Sequence, residues 1–274
     1  MFGSVTGLLW ALPQYERASL AAAELYKLET KLEHAVKQPA GGERDPWAGR
    51  FSTLRAVDLQ FRYDAVNKER SFRIGPLSLT VVAGEIVFVV GANGSGKSTL
   101  MKVLTWIYAP SDGELYIDDV KVQPDNVQAY REMIAAVYSD FHLFKKLYGI
   151  PDAKEEEVNR LLRQFQLADK LSFSNRSLST LDLSTGQRKR LAMVVALLED
   201  RPIYVFDEWA ADQDPSFRRF FYEELLQDLK RRGKTIIAIS HDDRYFHCAD
   251  RVITMEEGQI RSASEHVAPS PSGA

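Results

Sequence analysis

The chain has 274 residues, 45% of them apolar and 27% charged, and a formal net charge of -3. That is the composition of an ordinary globular protein with ample material for a core, and its charge gives no bulk attraction to nucleic acid or acidic lipid. Cys248 is the single cysteine, which excludes an intrachain disulfide, argues against a Cys-based zinc site and fits a reducing, cytoplasmic setting.

The chain opens on an apolar stub, Met1 to Leu12. It is short of the roughly 18–20 apolar residues that cross a bilayer and lacks the basic start of a secretory signal. From Gln14 to about Val36 the spacing predicts a helix, with Leu25, Leu28, Leu32 and Ala35 on one face and Pro13 at its start. Gln38 to Arg50 is rich in Pro, Gly and charge and reads as a linker, so the compact domain is expected to begin near Arg50.

Val57, Leu59, Phe61 and Tyr63 alternate with polar residues, as in a half-buried strand, and Leu77, Leu79 and Val81 repeat the pattern. Ile86 to Val90 is unbroken apolar sequence, expected of a strand covered on both faces. Similar short runs lie at Ile134 to Val137, Ile203 to Phe206 and Ile236 to Ile239. Helical patterns separate them at Glu155 to Leu167, Gly186 to Leu198 and Pro215 to Arg231. Strands alternating with helices predict an α/β core. Phe141 to Asp182 has helical patterning without a buried-strand signal and reads as a mostly α-helical subdomain, and Ser262 to Ala274 reads as a disordered tail.

Gly91-Ala92-Asn93-Gly94-Ser95-Gly96-Lys97-Ser98, followed by Thr99, fills every position of G-x-x-x-x-G-K-[ST] between a buried strand and a helix-compatible run. Glycines let backbone N–H groups curl round an anion, and the helix that follows adds the positive end of its dipole. Lys97 is expected to reach the β- and γ-phosphates of ATP, and Ser98 to place its hydroxyl oxygen on Mg²⁺. A second apolar strand ends in Asp207-Glu208. A strand needs no acids at its end for packing. After a phosphate loop, Asp207 is expected to hold the metal and Glu208 to act as general base on the attacking water.

Between these lies Leu183-Ser184-Thr185-Gly186-Gln187, and downstream lies Ile239-Ser240-His241-Asp242. Four motifs in this order resemble those of the ABC ATPases, over about Phe51 to Arg261. The resemblance implies a P-loop NTPase of ABC-ATPase fold: a mixed-sheet core, an antiparallel β subdomain and an α-helical subdomain at about 141–186. It also implies a head-to-tail dimer, with each ATP between the phosphate loop of one copy and Ser184, Gly186 and Gln187 of the other. His241 would hold the γ-phosphate and the water, Asp214 would reach across the dimer, and Tyr63 would lie against adenine.

Three positions depart from the family pattern. Ser139 stands where a metal-contacting glutamine is expected, with Asp140 as a substitute oxygen donor; Thr185 replaces a glycine; and Trp209-Ala210-Ala211-Asp212 replaces P-T-S-A. These departures, with Tyr138 to Phe144 and Ser240 to Phe246, resemble the bacterial cyclic-peptide and peptide-siderophore exporters, homodimers with six membrane helices and one ATPase domain per chain. That resemblance implies five segments. Residues 1–13 end the last membrane helix, 14–37 form a connecting helix, 38–50 a linker, 51–261 the ATP-binding domain and 262–274 a tail. It also makes the chain a piece of a longer one, at the cytoplasmic face of the inner membrane, with its partners a second copy and the transmembrane domain and no nucleic acid. The competing readings are a soluble ABC-type ATPase acting on nucleic acid or ribosomes and a regulatory ATP-binding subunit without turnover. A single set of motifs and the absence of a long heptad run count against the first. Intact Lys97, Asp207, Glu208 and His241 count against the second.

Overall fold

The computed structural model describes residues 45–63, 72–150 and 152–265, together with Ser19, Ala22 and Tyr26. Contacts divide the chain into two units, 1–44 and 45–274. In the first, Ser19, Ala22 and Tyr26 are helical and exposed; the rest of the helix expected over Gln14 to Val36 lies outside the described residues. The apolar stub and residues 38–44 of the linker lie outside the described residues. Among the described residues no helix is long and apolar enough to cross a membrane.

The second unit begins earlier than Arg50. Asp45 accepts from the backbone N–H groups of Trp47 and Ala48 through Oδ1, at 3.0 and 2.9 Å. The turn so formed drops Trp47, 6% exposed, into a core shared with Tyr130, their ring centroids 6.3 Å apart. Composition marks this stretch as linker, but one tryptophan supplies enough apolar surface to hold its turn against the domain.

Two sheets organise the unit. Strands β1 (Thr53–Arg62), β2 (Arg73–Val82), β4 (Asp112–Ile117) and β5 (Val120–Lys121) form an antiparallel sheet in the order β2-β1-β4-β5. Here β1 departs from strict alternation. Leu54 and Ala56 are buried, Asp58 takes a left-handed φ of 47°, and the buried set resumes at Leu59. The extra residue is a bulge that turns the second half of the strand over. Gly113 lies against it, and a Cβ there would stand 2.3 Å from the Asp58 carbonyl oxygen.

The larger sheet runs β12-β11-β3-β10-β9-β6, with β3 (Ile86–Val90), β6 (Ile134–Val137), β9 (Ile203–Phe206) and β10 (Thr235–Ile239). Its strands β11 (Arg251–Glu256), β3, β10, β9 and β6 are parallel, and β12 (Gln259–Glu265) is antiparallel to β11. Every residue of β9 and β10 is buried, as the unbroken apolar runs predict for central parallel strands. One core lies between the two sheets around helix α1 (Lys97–Leu104) and helix α2 (Val127–Glu132). The other lies beneath helix α3 (Glu155–Gln164), helix α4 (Thr185–Glu199) and the helical run after Pro215. That run comprises α5 (Pro215–Arg219), a π-helical turn (Phe220–Leu225) and α6 (Leu226–Arg231). It seats Phe217, Phe221, Tyr222 and Leu225 in the core.

Two expectations are corrected. Between Phe141 and Asp182, the described residues hold one ten-residue helix, α3, and a small hairpin of β7 (Phe173–Ser174) and β8 (Ser177–Leu178). The rest is irregular, because the apolar residues of this stretch are anchored singly into the core of α4. The tail does not begin at Ser262. Ser262, Ala263 and Ser264 pair with Thr254, Ile253 and Val252 of β11. This edge strand is held by backbone hydrogen bonds, and its exposed small side chains carry no apolar signal. Residues 266–274 lie outside the described residues.

Candidate active site

Three adjacent parallel strands, β3, β10 and β9, release the chain at their carboxyl ends into loops carrying Gly91–Gly96, Ser240–His241 and Asp207–Glu208. In open α/β sheets, ligands bind at this edge. Gly91 has φ 142°, and a Cβ there would lie 2.1 Å from the Met255 carbonyl oxygen; Gly96, at φ 104°, opens α1, and a Cβ there would press on Ile74. Close approach fixes the first position and a left-handed entry to the helix fixes the second.

Lys97 is buried in this loop. Its Nζ donates to the carbonyl oxygens of Gly91 and Ala92, each at 2.9 Å. Burial lowers its pKa, and the nearby Glu208 and Asp207 carboxylates pull it back up. Asp207 is 1% exposed, with Ser98 Oγ donating to its Oδ1 at 2.9 Å and Ser139 Oγ to its Oδ2 at 3.3 Å. The residue in the glutamine's place thus reaches Asp207 itself. Asp140 has a different partner: its carboxylate pairs with Lys102 at 2.9 Å, which lowers its pKa.

Glu208 has φ 53°, a left-handed conformation that a non-glycine side chain adopts only when its surroundings hold it there. Its Oε1 lies 2.8 Å from His241 Nε2. Glu208 also separates two clefts. One, of about 500 Å³, is lined by Tyr63, Phe72, Asn93, Gly94, Gly96, Lys97, Ser98 and Thr99. The other, of about 350 Å³, is lined by His241, Asp242, Arg218 and Arg244 among others. Tyr63 is 38% exposed at the rim of the first, its ring edge-on to Phe61 and Tyr108 and its hydroxyl 3.3 Å from Thr99 Oγ1. One face of an aromatic ring therefore remains beside the phosphate loop.

The signature opens α4. Ser184 is its N-cap: Oγ accepts from Gln187 N at 3.4 Å while Gln187 Oε1 accepts from Ser184 N at 3.0 Å, a capping box. Gly186 is needed where it stands, since a Cβ would come 2.9 Å from the Asp212 carbonyl oxygen. Ser184 and Gly186 thus stand at the N-terminus of α4, with Gly186 packed against the loop that follows Glu208. Asp214, expected to act across a dimer, has partners within the chain. It caps α5 through Phe217 N at 2.9 Å, accepts from Ser216 Oγ and pairs with Arg190.

Ser216, Phe217 and Arg190, in that order of importance, hold the Asp214 pKa down, from 3.8 to about 2. Because the folded value lies below the unfolded one, this stabilisation is complete above about pH 4 and is lost as pH falls towards 2. Asp214→Ala is expected to cost about 1 kcal/mol at neutral pH, with the gap to the parent closing between pH 4 and 2. Urea midpoints measured across that range check it.

Sequence reasoning gave no role to Lys189, Arg190 or Trp209. Arg188, Lys189 and Arg190 follow the signature as three consecutive basic residues, and the structure buries Lys189. The one available signal was the tryptophan directly after Glu208, where an exposed loop would have no packing need of so large a ring.

A parallel sheet delivering a phosphate loop, a hydroxyl paired with a buried carboxylate and an acid–histidine pair to adjacent strand ends defines a P-loop nucleotide hydrolase. A model of the ABC transporter family matches residues 74–211. The chain is 42% identical over 272 residues to the ATP-binding protein SyrD of Pseudomonas syringae pv. syringae, covering 96% of this chain and 48% of that protein. To the ATP-dependent lipid A-core flippase of Chromohalobacter salexigens it is 31% identical over 225 residues, 78% of this chain and 38% of that protein. It therefore spans half or less of the length of these relatives. A dimeric, post-hydrolysis ATP-binding cassette bound to ADP and Pi superposes with a TM-score of 0.68 at 23% identity, over 78% of this chain and 99% of that one. A bacterial Atm1-family ABC exporter with ATP bound gives 0.66 at 24%, over 79% and 39%; at these identities the agreement is one of fold. The chain belongs to the ABC transporter family, as an ATP-binding domain with the family's ATPase chemistry.

Proposed function

We propose that this domain is the motor of an exporter, hydrolysing ATP in a head-to-tail dimer. The observation that carries the reading is the Glu208–His241 pair, 2.8 Å apart at the strand ends that also hold Lys97 and Asp207. Glu208 Oε1 is the general base for water, and His241 fixes that carboxylate and meets the γ-phosphate. Lys97 and the loop N–H groups stabilise the charge that builds on the transferred phosphoryl group. The donor set of Ser98 hydroxyl and buried Asp207 carboxylate fits Mg²⁺, an ion that takes few protein oxygens and completes its shell from water and phosphate. Held by Ser98 and Asp207, the ion would supply positive charge to the nucleotide's phosphates.

The signature at the start of α4 supports the dimer. In this reading Ser184 and the first N–H groups of α4 form an anion site for a nucleotide held by another copy. A transmembrane domain, supplied outside residues 45–265, carries the cargo path, with this domain at the cytoplasmic face of the bacterial inner membrane. The cargo is a cyclic peptide or peptide siderophore, a reading supported by the stretches Tyr138 to Phe144, Phe206 to Pro215 and Ser240 to Phe246. The relatives named for transport support the exporter part.

The test is sedimentation of the Glu208→Gln chain. With Mg-ATP it is expected to run as a dimer, and without nucleotide as a monomer. A chain that stays monomeric at saturating ATP would remove the sandwich.

A further inference from the structure

Lys189 is the least expected charge in the unit. Its side chain is 5% exposed, on the second turn of the signature helix α4. A buried ammonium persists only where it is paired and hydrogen-bonded. Its partners all lie in the catalytic loop. Nζ donates to the main-chain carbonyl oxygen of Glu208 at 2.8 Å and pairs with Asp212 Oδ2 at 2.7 Å. The Lys189 carbonyl oxygen in turn accepts from Trp209 Nε1 at 2.7 Å.

The neighbouring contacts extend the same seam. Gln213 Nε2 donates to the Gly186 carbonyl oxygen at 3.2 Å, and Arg190 Nε donates to Gln213 Oε1 at 2.9 Å. The loop from Glu208 to Asp214 is thus stitched to the first two turns of α4, and the stitch at Lys189 lands on the one left-handed residue of that loop. A left-handed glutamate relaxes unless its carbonyl is held. Its peptide orientation in turn sets where Oε1 stands relative to His241.

We propose that Lys189 is a positioning residue for Glu208, and that through it the signature helix of a subunit governs the base of the same subunit. The inference rests on the dimeric ATPase reading above. In that dimer, α4 serves the ATP held by the partner, while Glu208 serves the ATP held by its own phosphate loop. The Lys189–Glu208–Asp212 clamp joins the two ends inside one chain. Occupation of one composite site then biases the base of the other, a coupling that needs no contact between the nucleotides.

The experiment uses the whole 274-residue chain and measures steady-state ATP hydrolysis against ATP concentration. Lys189→Met keeps the length of the side chain and removes the cation. It is expected to lower kcat about tenfold to a hundredfold, as a misplaced catalytic group does, while KM stays within about threefold. The Hill coefficient is expected to fall towards one. Lys189→Arg, which can still reach a carbonyl and a carboxylate, is expected to recover part of kcat. A lysine that served only to hold the fold would lower the melting temperature and leave the kcat-to-KM split and the Hill coefficient unmoved.

Should Lys189→Met fail to fold, Asp212→Asn decides in its place. Asp212 is half exposed, so its loss leaves no buried charge on its own side and loosens only the grip on Lys189. A threefold or larger loss of kcat at unchanged KM supports the clamp. A folded Lys189→Met or Asp212→Asn chain with parental kcat and Hill coefficient overturns it. The dimer reading fails separately, by the Glu208→Gln sedimentation result, and the clamp's coupling role would fall with it.

Discussion

Glu208→Gln is expected to lower kcat for ATP hydrolysis by about 10²- to 10³-fold, with the affinity for ATP within a few-fold of the parent. The amide matches the carboxylate in size and can still bond to His241 Nε2 across the present 2.8 Å. What it loses is the capacity to take a proton from water, a contribution of about 10²–10⁴ in rate for a positioned base. Binding is spared because Lys97, the loop N–H groups and the Ser98–Asp207 pair remain in place. His241→Ala separates the two members of the pair. It removes the group that orients Oε1 and leaves the base itself, so its loss in kcat is expected to be smaller. Phosphate release at saturating Mg-ATP measures both, and a Glu208→Gln chain above about one third of parental activity would assign the base elsewhere.

The kinetic expectation has a structural consequence. A chain that binds ATP but turns over slowly accumulates the ATP-bound state, so one variant serves both for kcat and for the sedimentation test. The two measurements remain independent in what they can refute. Activity without loss removes Glu208 as base, whereas slow turnover without dimers removes the sandwich and keeps the base.

The strand ends were legible because their chemistry is local. The phosphate loop is contiguous, and its residues match every fixed position of G-x-x-x-x-G-K-[ST]. The apolar runs of β3, β9 and β10 fall where their patterns place them, because a central parallel strand is covered on both faces, and β6 at the sheet's edge is found by its apolar run although Ala136 is exposed. The Asp207–Glu208 pair and His241 follow from strands that end in groups useless for packing. Three features were not legible. The bulge at Asp58 depends on a glycine 55 positions away in the chain, Gly113, which makes room for it. The β12 edge strand is backbone pairing with no side-chain signature. The burial of Lys189 depends on two acceptors 19 and 23 positions away, and in sequence it is one of three consecutive basic residues. Asp140 shows the opposite limit. A carboxylate near a magnesium-type site reads as a ligand, and only the structure reveals that Lys102 has claimed it.

Trp209→Ala is expected to cost about 3–5 kcal/mol of stability, the range for truncating a large buried aromatic. The indole is 1% exposed, with its ring centroid 4.6 Å from Phe221 and 6.1 Å from Phe217. It joins the loop after Glu208 to the helical run after Pro215, and its Nε1 joins the same loop to α4 through the Lys189 carbonyl oxygen. Trp209→Phe divides these contributions. It retains much of the ring packing and removes the donor, leaving a buried carbonyl without that partner, a loss of about 1–3 kcal/mol. Urea unfolding followed by far-ultraviolet circular dichroism reads both as shifts of the midpoint at constant slope, about 1–2 M for the alanine variant. Hydrolysis distinguishes the two roles of the side chain. If the indole only fills space, Trp209→Phe keeps parental kcat. If its Nε1 helps fix the peptide that follows Glu208, Trp209→Phe loses kcat by a larger factor than its stability loss explains at a temperature where the chain remains folded. A Trp209→Ala midpoint within about 0.3 M of the parent would mean that the loop is held by Lys189 and Arg190 without the ring.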